Sequence, residues 1–94
     1  MLAQPPIDLD KVPKGQIDKE ILRLGIIAEL DAVNLYEQLA VKAHDRKIKK
    51  ILLDIAKEEK THVGEFQALL LELDNEQAQE LEKGKKEVEE ISKK

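Results

Sequence analysis

Cysteine is absent from all 94 residues, which rules out a disulfide framework, a cysteine zinc site and a rubredoxin-type iron centre within them. Aromatic side chains are almost missing as well. Tyr36 and Phe66 are the only two, so any core must be built from aliphatic residues. All three prolines, Pro5, Pro6 and Pro13, fall within the first 14 residues, and the remainder is free of the strongest helix breaker. No apolar run reaches the length of a membrane span, and the N-terminus lacks the basic-then-apolar layout of a secretory signal. The expected location is therefore cytoplasmic, with no membrane partner. A net charge of −4 argues against nucleic acid as the main partner. With 38% of residues charged, one small domain has little apolar material with which to close a core alone.

What the sequence does contain is helical periodicity. Residues 1–14 show none and read as an extended N-terminal arm, placed to lie on a neighbouring subunit. From about Gly15 to Ala43, Leu22, Ile26, Val33, Tyr36 and Ala40 recur at alternating spacings of four and three, the seam of a helix packed on a helix. The position missing from this stripe is Glu29. A neighbouring row (Ile21, Ala28, Ala32, Leu35, Leu39) is apolar too, so the helix expects several partners. His44-Asp45-Arg46 interrupts the pattern: His44 reads as a turn residue and Asp45 as an N-cap. A second helix follows over about 46–73, so residues 15–73 form an antiparallel hairpin. Asp74, with Gln77 three residues on, has the form of a capping box. It opens a third amphipathic helix over 74–94, with Ala78, Leu81, Val88 and Ile91 on one face and Gly84 weakening its middle. That helix is expected to dock on another chain or on the hairpin's outer face.

The second helix carries the most informative anomaly. Its seam runs Ile48, Leu52, Ile55, then Phe66, Leu69 and Leu73, and the alternation between them lands on Glu59 and His62. Burying a carboxylate and an imidazole unpaired is costly, and a metal cation is the leading compensation. The bland reading is a polar pair that sets the register of a coiled coil. Counting outward from the turn, position 29 falls opposite about position 60, so Glu29, Glu59 and His62 lie within about one turn of the same level. Carboxylate di-metal bundles use two lone glutamates and two Glu-x-x-His pairs on four helices. This chain holds half the ligands and half the helices. The expected fold is all-α, with a two-fold dimer completing a four-helix bundle around two shared metals.

The stretches Ile27-Ala28-Glu29-Leu30-Asp31-Ala32-Val33-Asn34-Leu35-Tyr36 and Lys57-Glu58-Glu59-Lys60-Thr61-His62 resemble the two metal-binding motifs of the encapsulated ferritins, short ferritin-like proteins housed inside encapsulin nanocompartments. The resemblance covers both long helices and the interval between the motifs. It implies a ferroxidase that oxidises Fe(II) with dioxygen at a di-iron site shared by two subunits and feeds iron storage in the compartment's lumen. It implies that Glu29, Glu59 and His62 are the iron ligands, with Glu59 bridging. It implies that Tyr36 stands close behind the centre and that Asp31 belongs to an outer metal-uptake site. It further implies a homodimer that assembles into a ring-shaped decamer, and the encapsulin shell protein as partner. Two positions depart from the family pattern: Ala28 where another glutamate is usual, which bears on the uptake site, and Leu35 where tryptophan is usual, which bears on access. Taken alone, Tyr36 is better explained as a core-edge tyrosine, and Asp31 is as well explained as a solvated residue. The chain ends without the family's apolar docking tail, as expected of a trimmed tail or of a domain fused to the shell protein. The competing expectations are a rubrerythrin-like di-iron peroxidase and a non-catalytic helical assembly module.

Overall fold

Asp45 turns the chain back on itself. The computed structural model describes residues 8–93, and within them α1 (Ile17–Lys42) and α2 (Arg46–Leu73) are joined by three residues and pack along their length. The Asp45 carboxylate accepts from the backbone N–H groups of Lys47 (2.8 Å) and Ile48 (3.0 Å), satisfying two of the donors that every helix start leaves open. At the head of α1, Asp18 and Glu20 offset the helix dipole.

The arm expected to be extended is not so in its described part. Residues 1–7, with Pro5 and Pro6, lie outside the described residues. Beyond them Leu9–Lys11 and Lys14–Gln16 each form a single 3-10 turn. Asp8 closes the first by accepting from Asp10 N–H at 3.1 Å, and Pro13, with φ fixed near its ordinary value, leads into the second. The second turn runs straight into α1.

α3 (Asn75–Ser92) begins after a single non-helical residue, Asp74. Asp74 holds both helices at once. Its N–H donates to Leu70 O (2.9 Å), ending α2, while its Oδ1 accepts from Gln77 N–H (3.0 Å), starting α3. Only half of the expected capping box is therefore needed, because the Asp74 N–H is already spent on α2. Its Oδ2 accepts from Arg23 Nη2 of α1 at 3.0 Å, and Arg23 also reaches Glu20 at 2.9 Å. Arg23 thus ties the α2–α3 corner to α1 from 51 residues away. The Gln77 N–H, with Lys19 and Arg23 adding attraction, holds the Asp74 carboxyl below its ordinary value of 3.8. A carboxyl lowered in the fold stabilises it fully above its unfolded value and loses that contribution as pH falls through the folded one. An acid titration of wild type and Asp74→Asn, followed by thermal melting, should show the wild type's advantage intact at pH 6 and gone well below pH 3.8.

α3 does not lie on the hairpin. Its contacts with α2 are few, and Leu81, Val88 and Ile91 on its apolar face are exposed. The chain measures 46 × 45 × 20 Å, with a radius of gyration of 16.7 Å against about 12 Å for a compact chain of this length. Its buried core is small: Val33, Ala40, Ala56 and Leu70. Ile21, Leu39, Ile48, Ile51, Leu69 and Leu73 all stand at least 45% exposed. The hairpin presents more apolar surface than one copy of it can cover.

Candidate metal centre

Near the middle of α2 the seam turns polar, and α1 meets it with a carboxylate. Glu29 of α1 lies level with Glu59 and His62 of α2, because both helices are regular and count outward from the same short turn. His62 Nδ1 stands 3.4 Å from Glu29 Oε2 and 3.5 Å from Glu59 Oε2. One donor atom from each of the three falls within 4.8 Å of the others, the only such grouping among the described residues. The two carboxylates are largely buried, at 18% and 19% side-chain exposure, while the imidazole is 45% exposed. Glu29 Oε2 is buried and has no hydrogen-bond donor among the described residues. A buried carboxylate oxygen without a donor is costly for a purely structural site. A cation is a fitting partner for such an oxygen.

The donor chemistry fits the same conclusion. Two carboxylates and an imidazole suit iron or manganese. Glu29 and His62, with Glu65, Phe66 and Leu69, line an open groove, so two of the three donors reach the outer face of the hairpin. Just off the seam, Lys60 pairs with Glu37 across the helices at 3.2 Å, on an exposed flank where such a pair contributes little.

The other expected site residues are not in the cluster. Tyr36 is half-buried on the Glu29 stripe, two turns further along α1 (about 10 Å of rise), and it lines neither the cluster nor the groove. Asp31 is two residues from Glu29, about 200° around the helix, outside the cluster, and is not a free carboxylate. Two residues beside the centre carried a signal that the seam pattern does not display. Gly25 sits in the interior of α1, where glycine costs about 1 kcal/mol relative to alanine, and the reason is the Phe66 ring packed against it.

A family profile described as Rubrerythrin matches residues 20–93. A ferritin-like–encapsulin shell fusion protein of Pyrococcus furiosus is 64% identical over 86 residues, which are 92% of this chain and 25% of that protein. The encapsulin nanocompartment cargo protein EncC of Myxococcus xanthus is 40% identical over 70 residues, 71% of this chain and 54% of that protein. The crystal structure of the encapsulated ferritin domain from Pyrococcus furiosus superposes with a TM-score of 0.84 at 54% identity, covering 100% of this chain and 98% of that one. The chain thus spans about a quarter and about half the length of the two full-length relatives.

Proposed function

The chain belongs to the rubrerythrin family, among its encapsulated ferritins, and from that premise we propose that it is a ferroxidase acting on Fe(II) at a site completed by a second copy of itself. The observation that carries the proposal is the buried, donorless Oε2 of Glu29 beside Glu59 and His62 on an open groove. A two-fold axis at this level brings a second Glu29, Glu59 and His62 against the first. The charges then match: four carboxylates carry −4, and two ferrous ions carry +4. The apolar rows on either side, Ile48 and Ile51 towards the turn and Leu69 and Leu73 away from it, become the packed flanks of a four-helix bundle.

The substrate is Fe(II), bound by carboxylate oxygens and an imidazole nitrogen in a seam of low dielectric. Two Fe(II) ions each give up one electron. One dioxygen takes both with two protons, leaving as hydrogen peroxide, and two Fe(III) result. The carboxylates hold the pair in place and can shift between terminal and bridging attachment as the iron's charge rises. By resemblance to the family, Glu59 would bridge the two ions, and Glu29 and His62 would hold one each. The excess positive charge of two Fe(III) ions over four carboxylates favours hydrolysis and departure of the product. Asp31 and Tyr36, both outside the cluster, act in this reading on iron uptake and behind the centre. Relatives named as encapsulin cargo or shell fusions support a further step: the oxidised iron is delivered inside an encapsulin compartment. In this reading the dimers gather into a ring-shaped decamer.

The family's name favours one competing reading, a rubrerythrin-like peroxidase that reduces hydrogen peroxide at the same ligands. The two differ in oxidant. Under anaerobic loading with Fe(II), a dioxygen pulse should oxidise the iron with one O₂ consumed per two Fe(II), and hydrogen peroxide should be the slower oxidant. Faster turnover with peroxide than with dioxygen, sustained by an external reductant, would replace the ferroxidase reading by the peroxidase one.

A further inference from the structure

The ring of Phe66 is seated on the backbone of α1 at Gly25. A Cβ built at residue 25 would stand 3.2 Å from Cδ2 and Cε2 of Phe66 and 3.3 Å from Cδ1, so the ring meets this point with its face. Among the described residues no other glycine is used this way: Gly15, Gly64 and Gly84 have none of them within 4 Å of the same construction. Gly25 and Glu29 are four residues apart on α1, and His62 and Phe66 are four apart on α2. Residues at that spacing stack on one helix face. The Gly25–Phe66 contact is therefore the rung of the hairpin next to the Glu29–His62 approach, and Phe66 lines the same groove as both ligands.

The distance between two packed helices follows from the side chains at their contact. One turn from the ligands, that contact is a rigid ring against bare backbone. We propose that Phe66, seated on Gly25, is a positioning residue that sets the separation of α1 and α2 at the metal centre, and hence the reach of Glu29 towards Glu59 and His62. This rests on the metal reading above. A methyl group at residue 25 has to part the helices or displace the ring by a few tenths of an ångström. Metal–ligand distances tolerate only about 0.2 Å. A leucine at residue 66 does the opposite and leaves a gap. Gly25→Ala with Phe66→Leu adds about as much volume as it removes, so the two changes compensate where each alone does not.

The test is an anaerobic titration with Co(II), followed by its visible absorption, on wild type, Gly25→Ala, Phe66→Leu, the double variant and Gly64→Ala, each checked for helix content by circular dichroism. Each single variant should stay helical and lose about tenfold in Co(II) affinity, the scale at which residues behind the ligands act. The double variant should return to within about threefold of wild type. Gly64→Ala, in open space, should match wild type. Unchanged affinity in Gly25→Ala, or a double variant as weak as the worse single one, overturns the inference. Should Gly25→Ala fail to fold, Phe66→Leu and the double variant decide it by the same comparison. A wild type that binds no Co(II) and no Fe(II) overturns the metal reading first and this inference with it; a wild type that binds while the variants match it overturns the inference alone.

Discussion

Glu59→Ala should cut aerobic Fe(II) oxidation by about a hundredfold or more, beyond the range seen when only residues behind the ligands are changed. The size follows from symmetry. If the centre is shared between two copies as proposed, a single substitution would remove two of its four carboxylates, along with both bridges, and drop its charge from −4 to −2 against two divalent cations. Glu29 and His62 would remain, but the pair of irons would be left without a common ligand. The same change should do no harm to the fold. Glu59 is a largely buried carboxylate whose ion pair among the described residues is with His62 at 3.5 Å, and alanine is the better helix residue. The metal-free variant should melt at or above the wild-type temperature. Loss of oxidation together with a retained or raised melting temperature distinguishes a functional ligand from a structural polar pair. A register-setting pair would give a lower melting temperature, and its loss would leave aerobic iron oxidation where it was.

Ile51→Glu should have an effect of similar size without touching a ligand. Residues 51, 62 and 69 are separated by whole numbers of turns, so Ile51 shares the open face with His62 and Leu69. It is 55% exposed in the single chain, and a glutamate there is readily solvated in one isolated copy. In a pair of copies the same residue would be buried, and each interface would carry it twice. Ile51 is about 16 Å of helix rise from His62, too far to act on the site directly. The expected result is a folded, helical chain that sediments as a monomer and neither retains nor oxidises iron. Oxidation at the wild-type rate by such a monomer would show that one copy is enough.

The hairpin was legible in the sequence because its punctuation is chemical. Asp45 and Asp74 stand where a helix start needs an acceptor, and both are used so. The cluster was legible because Glu29, Glu59 and His62 occupy positions where an aliphatic residue would otherwise continue the stripe, and counting from one short turn aligns them. What the stripe could not reveal are contacts between side chains on different helices. The Arg23–Asp74 tie joins residues 51 apart, and nothing in the pattern around either announces the other. Gly25 was visible as a glycine inside a helix, but its meaning depends on which way the Phe66 ring points. The direction of α3 was equally hidden, since an apolar face tells that a partner exists and not where it sits. The 3-10 turns at residues 9–11 and 14–16 are too short to have a period at all.

Native mass measured on the metal-free protein and again after anaerobic addition of Fe(II) reports pairing and iron content in one spectrum. It should show chains in even numbers with two irons retained per pair. A single chain that persists in saturating Fe(II), or an assembly that takes up none, would mean that the half-set of donors on each hairpin is never joined to its other half.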